Sequence, residues 1–183
     1  MAAVRLQQVV TELPEPPTLF WLGFPMIPGL GGPALFRSDV DQSRIRAADE
    51  APNLTFIPWT DGDALPSESI PALLAGHCAK RQGDAAFDRF HFDIFRAYFE
   101  LNRDISDQDV LLDIAGGAGL DVKRLKADMG DGQALSELEQ RRESLIEKGD
   151  FTGVPTVFFG DTYPMIGAVP IQVYQRAAAR LIN

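Results

Sequence analysis

Few side chains in this sequence have the type and spacing to do chemistry, and the thiol is the first to weigh. Cys78 is the single cysteine among 183 residues, so the chain holds no Cys-x-x-Cys pair for dithiol exchange and can form no internal disulfide. Adjacent His77 suggests a cysteine–histidine pair, but consecutive helical residues point about 100° apart and do not face one another. Cys78 also shares an apolar face with Ile70 and Leu74, which reads as a buried structural thiol. His91, between Phe87, Phe90 and Phe95, reads as a helix-surface or cluster-edge residue. Two histidines and one cysteine, without paired carboxylates at ligand spacing, give no credible metal site. Gly116-Gly117-Ala118-Gly119 has the glycines of a phosphate loop, yet it follows a helix rather than a strand and so reads as helix termination. Asp104 with Asp107, and Glu137 with Glu139, read as solvated helix-terminus and surface charges.

The backbone offers more than the side chains. Gly153-Val154-Pro155-Thr156 leads into Val157-Phe158-Phe159, turns at Gly160-Asp161 and returns through Tyr163 to Gly167. A bond preceding proline can be held cis at small cost, and Thr-Val-Phe-Phe has the β-branched and aromatic character of a buried strand.

The elements that must position these residues follow from the apolar spacing. Residues 3–12 place Val4, Leu6, Val9 and Val10 on helical spacings, and the prolines at 14, 16 and 17 must end that helix. Thr18–Phe24 reads as a strand buried on both faces. Residues 25–37, dense in proline and glycine over Pro25–Pro33, read as an ordered connection without regular structure, and 53–59 as extended chain or loop. From about residue 68 to Gly149 the pattern is helical: one stripe carries Ile70, Leu73, Leu74 and Cys78, and a second Phe87, Phe90, Ile94, Phe95 and Tyr98. A third carries Val110, Leu111, Ile114 and Ala115, with Ser106 and Asp109 as a near capping box. Asp121–Met129 forms a short helix, and Leu135, Leu138, Arg142, Leu145 and Ile146 line a longer one. A final helix has Pro170 at its first position and buries Ile171, Tyr174, Ala178 and Leu181.

Composition narrows the class of partner. The formal charge of −9 disfavours nonspecific binding to nucleic acid or to an anionic membrane surface. No apolar run approaches the roughly 20 residues of a membrane helix. The amino terminus lacks a basic leader with a long apolar segment, so a cytoplasmic location is the default expectation.

Taken in order, these stretches resemble the DsbA-like thioredoxin family, particularly its FrnE-like branch. That branch is related to 2-hydroxychromene-2-carboxylate isomerase and kappa-class glutathione transferase. The marks are Phe24-Pro25-Met26-Ile27-Pro28, Phe95-Arg96-Ala97-Tyr98-Phe99, Asp104-Ile105-Ser106-Asp107, Ala118-Gly119-Leu120-Asp121, Gly153-Val154-Pro155-Thr156 and Gly167-Ala168. The resemblance implies an α/β, thioredoxin-like fold with an inserted α-helical domain. The thioredoxin-like part is expected over 1–62 and 150–183, and the helical insertion over 63–149. It also implies that Val154 and Pro155 bind substrate, the proline held cis so that the backbone before it meets an extended thiol-bearing partner. The plainer reading of the same step is a structural turn before a strand.

The sequence departs from the family at its front. The family's first β-strand, and the Cys-x-x-Cys or serine that follows it, match nothing here, since Val4–Val10 corresponds to the later part of the first helix. Loss of that strand would leave the 18–24 and 156–160 strands without their shared neighbour, and unpaired backbone in a buried sheet is costly. Another segment fills the slot, a second chain pairs there, or the protein begins upstream of Met1. The expected activity is therefore that of a thiol-disulfide oxidoreductase family member, redox-inactive as it stands. Its partners would be a thiol or disulfide substrate protein or glutathione. The alternatives are a glutathione-dependent isomerase or transferase relative, and a non-enzymatic binding module or obligate homodimer.

Overall fold

The computed structural model describes residues 1–15, 17–24, 37–59, 62–147, 153–160 and 164–182. Residues 25–36 of the expected connection, the Pro25–Pro28 mark, the helix end at Gly149, and Asp161 and Tyr163 of the hairpin turn lie outside these residues, and Arg37, expected as the end of that connection, opens a helix. The elements are α1 (Ala2–Glu12), α2 (Arg37–Glu50), α3 (Ile70–Lys80), α4 (Asp84–Phe99), α5 (Gln108–Gly117), α6 (Val122–Gly130) and α7 (Gln133–Glu147), followed by β1 (Thr156–Val157), β2 (Met165–Ile166) and α8 (Ile171–Ile182). Packing divides the chain into two compact units, one of Met1–Trp21 with Glu143–Asn183, the other of Leu22–Arg142. The second unit takes in residues 22–62 together with the helical stretch as far as Arg142.

In the first unit α1 packs on α8. Both helices are amphipathic, and their inward faces meet around Leu6 and Val9 of α1, Tyr174 and Ala178 of α8, and Phe159 from the end of β1. The rings of Phe159 and Tyr174 lie 6.2 Å apart. β1 and β2 pair antiparallel, Thr156 opposite Ile166 and Val157 opposite Met165. The strand alternation is plain: Val157 and Phe159 turn to the core, while Phe158 is 46% exposed. Pro170 immediately precedes α8 rather than opening it.

The stretch 18–24 is where the expectation fails. It belongs to no helix or ladder, and is not a strand buried on both faces. Trp21 packs against the core of the first unit, whereas Phe20 is 74% and Leu22 55% exposed. A strand is fixed by hydrogen bonds from its neighbours, and among the described residues the only sheet is the β1–β2 pair.

In the second unit α3 packs against α4, α5 and α6. Its buried face is made of small residues, Ala72, Ala75, Cys78 and Ala79, which lets the neighbouring helices approach closely. Phe87, Phe90, Ile94 and Ala97 are the buried residues of α4. The cap of α5 is Asp107, whose side chain accepts from the Asp109 N–H; this stands one residue beyond the expected Ser106, which instead donates to Asp104. Asp121 caps α6 in the same way, accepting from the Arg124 N–H at 3.0 Å. α2 carries a buried arginine, Arg44, only 2% exposed. Its guanidinium donates to the carbonyls of Ile57 and Tyr98 and to Asn102 Oδ1. It also lies 4.8 Å from the Trp59 ring centroid and 4.6 Å from that of Tyr98.

Candidate functional site

Val154 and Pro155 sit just ahead of β1, and the peptide bond between them is cis. Both residues are exposed, Val154 by 42%. One edge of this segment is spoken for. The Pro155 carbonyl accepts from the Gly167 N–H at 2.8 Å, continuing the β1–β2 ladder by one rung. The Thr156 hydroxyl donates to the Gly153 carbonyl and holds the entry to the strand. The opposite edge of β1 pairs with no strand among the described residues, and Val154 and Phe158 stand exposed along it. What this arrangement can do is add an extended chain through main-chain hydrogen bonds, with side-chain contacts left to flanking apolar groups.

Gly167 has φ of +86°, a conformation open to glycine with little cost. Its carbonyl accepts from the Tyr174 hydroxyl at 3.3 Å, and Tyr174 is fully buried. Burial pushes that phenol above its usual pKa, so it remains a donor at any ordinary pH. The next two carbonyls, of Ala168 and Val169, accept from Arg5 Nη1 at 2.6 and 3.0 Å. The sequence brought Val154, Pro155 and Gly167 to notice. It gave no signal for Arg5, because an arginine that serves backbone carbonyls more than 160 positions away has no pattern around it.

Cys78 belongs to the second unit and is wholly buried. Burial pushes its thiol up to about 11, so it holds little thiolate at neutral pH. His77 is not its base: His77 Nε2 lies 2.7 Å from Glu137 Oε2. Glu137 also accepts from Arg81 at 2.9 Å and from Gln133 at 3.0 Å, so it is a clamp between α3 and α7 rather than a merely solvated charge. The His77 hydrogen bond, with those of Arg81 and Gln133, holds its carboxyl down to about 2. Its partner in the sequence reading, Glu139, is exposed. His91 stacks on Phe87 at 5.4 Å and meets the edge of Phe95 at 4.6 Å. Burial, with Lys80 beside it, pushes the ring down to about 4. Among the described residues no group of three or more His, Cys, Asp or Glu side chains could hold a metal ion. Gly116 and Gly117 close α5, and Gly119 turns the chain with φ of +83°. No helix among the described residues is long and apolar enough to cross a membrane.

Comparison with known proteins bears on the fold and the family. The chain is similar to the uncharacterized protein YwbO of Bacillus subtilis, 30% identical over 106 residues, which cover 51% of this chain and 52% of that protein. It is also similar to the ClpXP adapter protein SpxH of Bacillus subtilis, 30% identical over 104 residues, covering 57% of this chain and 34% of the adapter. The matches thus span about half of one curated relative and a third of the other. Among solved structures, a probable DsbA oxidoreductase from Streptomyces coelicolor superposes with a TM-score of 0.76 at 20% identity, over 98% of this chain and 83% of that one. The shared fold is thioredoxin-like, with a helical insertion. A family model described as a DSBA-like thioredoxin domain matches residues 53–179, well over half of the sequence, and the chain belongs to that family.

Proposed function

We propose that this chain serves the family's thiol-disulfide chemistry by holding an extended polypeptide against the outer edge of β1, at Val154 and Pro155, and that Cys78 takes no part. The observation that carries this is the open edge: among the described residues β1 is bonded to β2 on one side only, with Val154 and Pro155 exposed beside it. Titration of a capped heptapeptide of alternating valine and threonine into isotope-labelled protein is expected to shift the Val154, Thr156 and Phe158 amides. Silence at those amides with millimolar peptide would remove the proposal.

The same 183 residues are expected to turn over neither protein disulfides nor oxidised glutathione, since their one thiol is buried and poorly ionised. A disulfide reagent should label Cys78 only as fast as the second unit opens. Rapid labelling of the folded protein, or turnover lost in Cys78→Ala, would return Cys78 to the chemistry.

Within the family, the ordered set of motifs supports the FrnE-like branch, and the single cysteine suits a reducing, cytoplasmic setting. Glutathione is a short extended peptide and would be a ligand of the same edge. A second reading is favoured by the exposed Phe20 and Phe158 of the first unit: two copies pair through their open edges. Sedimentation at increasing concentration separates the readings, because a strict monomer excludes the dimer and leaves peptide capture.

A further inference from the structure

Three successive carbonyls of the turn after β2 are taken up by helix side chains, an arrangement that a hairpin does not need for its own sake. Gly167 C=O accepts from Tyr174 of α8, and Ala168 C=O and Val169 C=O accept from Arg5 of α1. The N–H of the same Gly167 donates to the Pro155 carbonyl. The chain of contacts therefore runs from α1, through the turn, to the residue that ends the proposed peptide-holding edge.

We infer that Arg5 is a positioning residue for that edge: it fixes the 167–169 turn so that Gly167 holds the Pro155 carbonyl inward. The inference rests on the reading of Val154 and Pro155 as the peptide-holding segment. Its chemistry suits arginine. A guanidinium presents several donors in a rigid fork, and its hydrogen bonds to neutral carbonyls are strengthened by its charge. Both contacts come from the single nitrogen Nη1, so the two carbonyls converge on one point and fix the direction of the turn between them. Arg5 is half-buried, and its helix is already anchored to α8 by Leu6 and Val9. The position of α1 is thus set by apolar contacts, and Arg5 is free to set the position of the turn.

The experiment compares Arg5→Gln, Arg5→Lys and Val9→Ala with the unaltered protein. Val9 lies on the same helix, buried in the core that Val169 also packs against, and the three turn carbonyls accept from Arg5 and Tyr174 instead, so its truncation lowers stability while leaving those hydrogen bonds in place. Two quantities are read: exchange of the Gly167 amide hydrogen relative to amides in α8, and affinity for the capped valine–threonine heptapeptide. Arg5→Gln should speed Gly167 exchange selectively and weaken the peptide, each by ~tenfold, the scale of one charge-assisted hydrogen bond. Arg5→Lys should fall between. Val9→Ala should lower the melting temperature while leaving peptide affinity within about twofold and α8 and Gly167 exchange in their original ratio. If Arg5→Gln behaves as Val9→Ala does in both quantities, Arg5 merely fastens the helix and the inference is overturned. Should the unaltered protein bind no peptide, the reading of the edge fails, and the Gly167 exchange ratio alone decides whether Arg5 sets the turn.

Discussion

Arg44→Ala is expected to destabilise the second unit by roughly 4 kcal/mol, a large share of the stability of an ordinary domain. The guanidinium is 2% exposed and serves three acceptors at once, the carbonyls of Ile57 and Tyr98 and the side chain of Asn102. Removing it deprives all three of their donor, at about 1–3 kcal/mol for each acceptor that no water reaches. It also removes the cation that lies over Trp59, Tyr98 and Phe99. The damage should spread through Asn102, which sits at a left-handed φ of +49° and itself donates to the Pro58 carbonyl at 2.9 Å. Arg44→Lys should recover only part of the loss, because a single ammonium nitrogen replaces the two guanidinium nitrogens that share the three acceptors. Urea unfolding checks this. A midpoint within error of the unaltered protein would mean that the three acceptors are satisfied without arginine.

The second large effect is a loss of stability in mild acid that originates at His91. Its ring is pushed down to about 4, first by burial and then by Lys80, against an ordinary value of 6.5. The folded protein therefore keeps it neutral where the unfolded chain protonates it. Stability is full above about pH 6.5, falls as the pH drops towards about 4, and levels once the folded form also takes up the proton. The whole change is roughly 3 kcal/mol, of which about 1.4 kcal/mol should be lost by pH 5.5, before most carboxylates titrate. His91→Phe, which keeps an aromatic ring against Phe87 and Phe95, should flatten the profile between pH 7 and 5.5. A profile unchanged by that substitution would assign the acid sensitivity elsewhere. Glu137 acts in a different window: its depressed carboxyl adds stability above about 4.5, lost only as the pH falls towards 2.

Much of this fold could be read from spacing, and the failures have physical causes. α1, α4, α5 and α8 announce themselves because their inward residues are apolar and periodic, as at Phe87, Phe90 and Ile94, whereas Ile146 of the stripe read for α7 is 46% exposed. α2 does not. Its fully buried residue is Arg44, and a rule that looks for apolar stripes passes over a helix whose inward anchor is a cation. Thr18–Phe24 misled for the converse reason, since an apolar run reports a taste for burial but not whether a neighbouring strand exists to supply hydrogen bonds. The same limit divides the candidate site. Val154 and Pro155 are legible because proline leaves a local mark, whereas Arg5 and Tyr174 act on carbonyls, which every residue has.

Trp21 and Trp59 are the two tryptophans of the chain, and one falls in each compact unit. Trp21 is partly exposed against the core of α1 and α8, while Trp59 is 4% exposed under a guanidinium. The molecule thus carries an internal pair of fluorescent gauges with unlike surroundings. Trp21→Phe leaves emission that reports the helical unit alone, and Trp59→Phe leaves emission that reports the unit bearing Val154 and Pro155. Whether the two halves melt as one body or in succession becomes a question of colour and intensity, answerable without any added label.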